Sequence, residues 1–159
     1  MKKNTTSILI LENIRSAQNV GALFRTADAA GISQIYLVGY TPDPLDRFNR
    51  PRSDIAKSAL GAEKTIAWEH VTSISPLLKK LARDGFQIVA VEQSKGSIDY
   101  KKIKATQKIA FILGNEVDGV SKTALKLATH VAEIPMKGEK ESLNVSVAGG
   151  IAMFRILGI

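Results

Sequence analysis

Residues 109–121 read Ile-Ala-Phe-Ile-Leu-Gly-Asn-Glu-Val-Asp-Gly-Val-Ser, so a wholly apolar run passes directly into a glycine-marked polar loop. An apolar run of this length between turn residues predicts a strand that is buried on both faces of a parallel sheet. A short helix and another strand follow, and this second strand ends at Ile134-Pro135-Met136. Parallel α/β sheets bind ligands in the crevice beyond the carboxyl ends of their strands. The sequence therefore predicts a ligand site in the loops that follow these two strands.

The rest of the chain alternates strands and helices in the same way. The predicted strands cover residues 7–11, 34–39, 65–68, 86–91 and 109–113, and the predicted helices cover residues 20–30, 55–60, 76–83 and 122–128. Asn19 stands at the N-cap position of the first helix, and Ser121 stands at that of the helix over residues 122–128. The fold class is therefore α/β, with a mainly parallel sheet flanked by helices.

The composition fits a single domain over residues 1–159, because 45% hydrophobic content is ordinary for a globular chain of this length. No apolar run reaches about 18 residues and no signal-peptide pattern is visible, so we expect a cytoplasmic protein with no membrane contact. Cysteine is absent, which excludes disulfides, thiolate metal sites and a cysteine nucleophile. With only two histidines, a metal site is not expected.

The chain carries 22 basic and 15 acidic residues, for a formal charge of +7. This balance is consistent either with a polyanionic partner such as nucleic acid or with a merely soluble basic surface. A long irregular loop from Tyr40 to Pro51 contains arginines, and loops of this length are usually functional or mobile. We interpret Arg47, Arg50 and Arg52 as a surface that contacts the phosphates of a nucleic acid, with an ordinary charged loop as the alternative.

The loop over residues 114–121 has the spacing Gly-x-x-x-x-Gly, which invites comparison with phosphate-binding loops. Such a loop needs Lys followed by Ser or Thr directly after the second glycine, but Val120 and Ser121 follow here. No Gly-x-Gly-x-x-Gly sequence is present either, so an ordinary ATP, GTP or NAD site is disfavoured. Gly114 permits close approach of a ligand to the backbone, and Glu116 offers an acceptor for a hydroxyl or an amine.

The last helix is unusual, because only Ser146 and Arg155 are polar between Val145 and Ile159. A helix that is apolar on all sides must be buried, and part of its surface is available to a second subunit. The pair Gly149-Gly150 permits close backbone approach. The sequence therefore predicts a homodimer.

Three segments carry a resemblance to a known family. They are residues 19–31 (Asn-Val-Gly-Ala-Leu-Phe-Arg-Thr-Ala-Asp-Ala-Ala-Gly), residues 113–121 (Leu-Gly-Asn-Glu-Val-Asp-Gly-Val-Ser), and Ile134-Pro135-Met136 followed by Ser-Leu-Asn-Val-Ser at 142–146. Together they resemble the three motifs of the SpoU (TrmH-like) RNA 2′-O-ribose methyltransferases of the SPOUT superfamily. The motifs occur in the right order and span nearly the whole chain, which makes the combination specific although each motif alone is weak.

The resemblance implies an α/β fold with a deep C-terminal trefoil knot, a homodimer, and a site for S-adenosylmethionine formed by the knot. The adenosine is expected among the loops after Val91, Leu113 and Ile134. The residues that the resemblance assigns to cofactor binding are Glu92, Leu113, Gly114, Asn115, Ile134, Met136, Ser142 and Leu143.

The implied reaction is transfer of a methyl group from the cofactor to a ribose 2′-hydroxyl of RNA. The motif arginine falls on Arg25, and its guanidinium stays charged in proteins. We therefore expect Arg25 to orient an RNA phosphate and stabilise developing alkoxide charge rather than act as a literal base. Asn19 matches the residue that positions this arginine or the substrate. Glu116, Ser142 and Asn144 match the remaining polar residues of the site.

The resemblance leaves the substrate and one alternative function open. We expect no additional RNA-binding domain, and this small size favours tRNA, whereas the wording of the motifs leaves rRNA open. A catalytically silent, knotted RNA-binding protein is the alternative, and loss of Arg25, Asn19 or the Ser142-Leu143-Asn144 element would have supported it. Base methylation on the same fold is disfavoured because the 2′-O motif set is intact.

Overall fold

A seven-stranded sheet forms the centre of the computed structural model, which describes residues 4–159. The strands are β1 (Thr6–Glu12), β2 (Gln34–Val38), β3 (Ala67–Val71), β4 (Gln87–Val91), β5 (Ile98–Asp99), β6 (Lys108–Leu113) and β7 (His130–Glu133). Their spatial order is β3-β2-β1-β6-β4-β7-β5, and each of these pairings is parallel. The predicted α/β class with a mainly parallel sheet is confirmed.

Helices cover both faces of the sheet. They are α1 (Ala17–Ala30), α2 (Ser53–Ala59), α3 (Ala62–Thr65), α4 (Ile74–Arg83), α5 (Lys122–Leu127) and α6 (Val145–Leu157), with a 3-10 turn at Tyr100–Lys102. Because successive side chains of a strand point to opposite faces, Leu9 packs in the core beneath α1 and α6, and Ile10 packs in the core beneath α4 and α5. Within residues 4–159, no helix is both long enough and apolar enough to cross a membrane.

Several predicted boundaries differ from the structure. The N-cap of α1 is Ser16, whose hydroxyl accepts a hydrogen bond from the backbone N–H of Asn19, so the prediction that Asn19 is the cap was wrong. The predicted strand over residues 65–68 lies instead at β3, because residues 62–65 form the short helix α3. The helix α4 begins at Ile74, two residues before Pro76, since proline is tolerated in the first helical turn.

The glycine pair of α6 is explained by contacts within the chain. A Cβ atom on Gly149 would lie 2.6 Å from Leu113 Cδ1 and 2.9 Å from Leu23 Cδ2, and one on Gly150 would lie 3.3 Å from Thr26 Cγ2. These glycines allow α6 to lie directly against β6 and α1. Contacts within the chain therefore account for both glycines, and the glycines give no support to a second subunit.

Candidate active site

A cleft of about 560 Å³ opens at the carboxyl ends of β4, β6 and β7, where the segment between β7 and α6 covers it. The strand-end crevice predicted from the sequence is therefore present. Every residue that the sequence predicted to bind the cofactor lines this cleft: Glu92, Leu113, Gly114, Asn115, Ile134, Met136, Ser142 and Leu143.

The loop between β6 and α5 folds tightly against itself and against the end of β4. A Cβ atom on Gly114 would lie 2.4 Å from the backbone nitrogen of Val120, and one on Gly119 would lie 2.2 Å from Glu92 Oε2. The same Glu92 oxygen accepts a hydrogen bond of 2.9 Å from the Val120 N–H. The two glycines are thus required by the path of the loop itself, and Glu92 holds this loop against β4.

The side chain of Asn115 is 6% exposed and links three strand ends. Its Oδ1 atom accepts hydrogen bonds from the backbone N–H groups of Val117 and Asp118, both at 2.8 Å. Its Nδ2 atom donates to the carbonyl oxygen of Asn13 at 3.0 Å and to the hydroxyl of Tyr40 at 2.7 Å. These bonds use the full capacity of the amide. The side chain of Asn115 therefore shapes the loop between β6 and α5.

Glu116 joins the same loop to the start of α1. Its carboxylate accepts hydrogen bonds from the backbone N–H groups of Arg15 at 2.9 Å and Ser16 at 3.1 Å, and from the Asn19 side chain at 3.2 Å. Partial burial acts to raise the pKa of Glu116, but these hydrogen bonds outweigh it and hold the pKa below its ordinary value. The carboxylate is therefore ionised at neutral pH, next to the positive end of a helix dipole.

Asn144 extends this network to the last helix. Its Nδ2 atom donates to Asn19 Oδ1 at 3.2 Å, and its Oδ1 atom accepts from the backbone N–H of Ser146 at 2.9 Å, which caps α6. Three predicted site residues, Glu116, Asn19 and Asn144, thus form one continuous chain of hydrogen bonds beside the cleft. Ser142 is exposed on the wall of the cleft.

Arg25 is the predicted site residue that the structure does not bring to the cleft. It lies six positions after Asn19 on α1, or about 9 Å along the helix axis. Its side chain is exposed, and within residues 4–159 it has no hydrogen bond or ion pair. The guanidinium therefore faces outward and is available to a group that approaches this side of α1.

A second cleft of about 610 Å³ contains the arginines of the loop between β2 and α2. Arg50 pairs with Asp46 at 3.0 Å, and Arg52 donates from Nε to Asp54 at 3.1 Å, whereas Arg47 has no ion pair within the described residues. The hydrogen bond from Arg52 lowers the pKa of Asp54, and the bond to Asp54 in turn raises the pKa of Arg52. Two of the three predicted phosphate contacts are therefore already paired with carboxylates.

Sequence reasoning missed several residues of this second cleft. Tyr40 and Phe48 expose their rings there, and His70 contacts the Asp43 carboxylate through Nδ1 and the carbonyl oxygen of Gly39 through Nε2. The aromatic residues among the loop arginines were a visible signal. The His70 contact was not predictable, because it joins β3 to the loop that follows β2, about 30 positions away in the sequence.

The fold and the first cleft define an α/β domain whose ligand site is built from loops at the carboxyl ends of three parallel strands. Residues 6–154 match the model of the SpoU rRNA Methylase family, and the chain belongs to this family. The resemblance found in the sequence is confirmed.

Similar proteins come from several bacteria. A protein of Vibrio vulnificus named 23S rRNA (guanosine-2′-O-)-methyltransferase RlmB is 32% identical over 147 residues, which are 92% of this chain and 57% of that protein. The AdoMet-bound rRNA methyltransferase of Sinorhizobium meliloti superposes with a TM-score of 0.86 at 29% identity, over 98% of this chain and 57% of that one. The TrmH/SpoU tRNA modifying enzyme of A. aeolicus gives a TM-score of 0.83 at 30% identity, over 98% and 75%. The chain thus spans less than two thirds of the length of the curated relatives it matches.

Proposed function

We propose that the protein transfers a methyl group from S-adenosylmethionine to a ribose 2′-hydroxyl of RNA. The observation that carries this proposal is the hydrogen-bonded chain Glu116–Asn19–Asn144, which brings the three family motifs together at the edge of one ligand cleft. The names of the Vibrio and Sinorhizobium relatives support the same reaction and cofactor.

The first cleft fits this cofactor in size and in chemistry. Small-molecule sites commonly have volumes of about 300–1,000 Å³ and combine apolar surface with polar groups that fix orientation. Leu113, Ile134, Met136 and Leu143 offer apolar surface for an adenine ring, and the Ser142 hydroxyl offers a polar contact. When bound, S-adenosylmethionine supplies a methyl group activated by the positive sulfonium.

The polar residues around the cleft have separate roles in this proposal. In this transfer the ribose oxygen would bond to the methyl carbon as the bond from that carbon to sulfur breaks, the leaving group would be the neutral thioether, and the hydroxyl proton would pass to solvent water. Arg25 orients the adjoining RNA phosphate and stabilises the developing negative charge on the oxygen. Its freedom from hydrogen bonds and ion pairs within residues 4–159 supports this role. Glu116, Asn19 and Asn144 hold the loops of the site in register, since positioning alone lowers the barrier by several kcal/mol.

The same proposal includes the C-terminal trefoil knot and the homodimer. The knot enters the proposal through membership of the family, whose resemblance implies it. The hydrogen bond of 3.3 Å from the Ala105 N–H to the Ile156 carbonyl ties the last helix to the segment before β6. The dimer is supported by apolar residues that α6 leaves exposed, Val147 at 48% and Ile151 at 37%.

The substrate belongs to the proposal as well. RNA is the expected substrate, and both tRNA and rRNA are candidates, because the similar proteins named above include a tRNA modifying enzyme and a 23S rRNA methyltransferase. The phosphate contacts proposed for Arg47, Arg50 and Arg52 lie in the second cleft, which adjoins the first. No metal takes part in this reaction scheme.

The test is transfer of labelled methyl from S-adenosylmethionine to bulk tRNA and, separately, to rRNA, both from cells that lack the enzyme, followed by nucleoside analysis. We expect a 2′-O-methylated nucleoside in one pool. The Arg25→Ala variant should bind the cofactor normally and lose transfer, whereas Arg83→Ala, which removes an exposed arginine of α4, should leave transfer intact. Cofactor binding without transfer to either pool would instead favour a catalytically silent RNA-binding protein, and normal turnover by Arg25→Ala would remove the role assigned to that residue.

A further inference from the structure

The loop over residues 40–52, here called the arginine loop, exposes two large aromatic side chains. Phe48 is 62% exposed and Tyr40 is 60% exposed, and both rings line the second cleft. Exposed aromatic rings that share a concave surface mark a binding site more often than they mark ordinary surface. The two rings therefore indicate that this surface binds a ligand through aromatic contacts as well as through its arginines.

The backbone of the arginine loop is built to present Phe48. The Oδ1 atom of Asp46 accepts hydrogen bonds from the backbone N–H groups of Phe48 at 2.8 Å and Arg50 at 3.0 Å. The hydrogen bond from the Arg50 N–H lowers the pKa of Asp46, and the hydrogen bond from the Phe48 N–H lowers it further. Asn49 adopts a left-handed conformation with a φ of 58°, which closes the turn. These contacts fix the tip of the loop with the Phe48 ring in solvent.

The charges of the loop are largely balanced. Three arginines lie between residues 43 and 54 together with Asp43, Asp46 and Asp54, so the formal charges of this segment cancel. The guanidinium carbons of Arg47 and Arg50 lie 4.8 Å and 4.9 Å from the centre of the Phe48 ring. The loop thus offers planar surfaces more than it offers excess charge.

Planar surfaces of this kind suit an unpaired nucleobase. Proteins bind single-stranded RNA by stacking its bases on aromatic rings and on guanidinium planes. Bases within a duplex are already stacked on their neighbours and do not present their faces. The exposed Phe48 ring and the guanidiniums beside it therefore favour an unpaired nucleotide over a duplex.

The second cleft also adjoins the first. The Tyr40 hydroxyl accepts the 2.7 Å hydrogen bond from Asn115, and Asn115 lines the proposed cofactor cleft. A nucleotide chain that is held at the arginine loop is thereby placed beside the site where we propose methyl transfer.

We infer that the arginine loop binds an unpaired nucleotide of the RNA substrate, with its base stacked on Phe48 and the adjoining guanidiniums of Arg47 and Arg50. This inference rests on the proposed function for the identity of the substrate as RNA. It adds that the protein recognises a single-stranded segment and that Phe48 is a contact residue.

The test compares binding of a fluorescent single-stranded oligouridylate and of an RNA duplex of equal length over a series of salt concentrations. Phe48→Leu keeps an apolar side chain but removes the ring, so it should weaken binding of the single strand about tenfold. Its salt dependence should stay unchanged, because no phosphate contact is lost. Phe48→Trp keeps an aromatic ring and should therefore bind the single strand about as tightly as the wild-type protein. Leu60→Ala is the matched control, since Leu60 is 64% exposed and lies outside both clefts.

Three results would overturn the inference: wild-type affinity of Phe48→Leu for the single strand, equal losses for single strand and duplex, or no RNA binding by the wild-type protein. The methyl-transfer assay separates this inference from the proposed function. Binding that depends on Phe48 without any transfer would leave the stacking site standing and remove the proposed reaction. Methyl transfer together with RNA binding that does not depend on Phe48 would leave the proposed reaction standing and remove the stacking site.

Discussion

The Glu116 carboxylate bonds to donors that lie on a different segment of the chain, the backbone N–H groups of Arg15 and Ser16 and the Asn19 amide. An ionised carboxylate that already holds these donors has little capacity left to take up a proton from a substrate. Its geometry therefore suits it to fixing the β6–α5 loop against α1. This distinguishes Glu116 from Arg25, whose side chain has no hydrogen bond or ion pair in the described chain.

This role of Glu116 predicts a dependence of stability on pH. The pKa of Glu116 is lower in the folded protein, so its carboxylate stabilises the fold above its unfolded pKa, and this contribution disappears as pH falls through the folded pKa. At pH 7, Glu116→Gln should therefore lower the free energy of unfolding by about 1 kcal/mol, a figure reduced for solvent exposure. Urea unfolding of both proteins at several pH values measures this difference in the free energy of unfolding.

The control for this prediction is Glu139→Gln, which alters an exposed carboxylate with no hydrogen bond or ion pair among residues 4–159. Its stability should match that of the wild-type protein at each pH. A Glu116→Gln difference that does not shrink as the pH is lowered through the folded pKa of Glu116 would contradict the assignment, since the contribution of the carboxylate is lost once it is protonated.

Among the elements, those with long hydrophobic patterns were predicted best. The strands β1 and β6 and the cap of α5 by Ser121 were found where the sequence placed them, because an apolar run or a capping residue is a local signal. The two-residue strand β5 and the four-residue helix α3 were missed, since segments this short show no periodicity.

Contacts between elements were less predictable than the elements themselves. Motif order indicated which loops would meet in the cofactor cleft, and the structure brings them together. The hydrogen bond between Asn115 and Tyr40 joins residues 75 positions apart and leaves no trace in any local pattern. The same holds for the fit of α6 against β6, which depends on the absence of a single Cβ atom at Gly149.

The close packing of α6 against β6 predicts that alanine lowers stability more at Gly149 than at the adjacent Gly150. Replacing either one by alanine raises helix propensity by about 1 kcal/mol, so this effect cancels when the two variants are compared. At Gly149 the new methyl group would meet Leu113 and Leu23 below 3 Å, whereas at Gly150 it would meet Thr26 at 3.3 Å. Gly149→Ala should therefore be less stable than Gly150→Ala by about 1–3 kcal/mol. Thermal and urea unfolding of both variants would test this, and equal stabilities would mean that α6 can shift away from β6.

At the scale of the whole molecule, the candidate site exists only when distant parts of the chain are assembled. The Asn19–Glu116 bond spans 97 positions and the Asn144–Asn19 bond spans 125.

The homodimer proposed above predicts that the apolar stripe on α6 lies in the interface. Val147 and Ile151 are four residues apart and therefore lie on one face of the helix, where both remain exposed. Sedimentation at micromolar concentration should show a dimer for the wild-type protein and a monomer for Ile151→Asp, because burying an unpaired carboxylate in an apolar interface is costly. Leu60→Asp, which places the same charge at an exposed leucine away from α6, should remain a dimer. A wild-type monomer would refute the dimer, and a dimeric Ile151→Asp variant with wild-type unfolding behaviour would place the interface on another face.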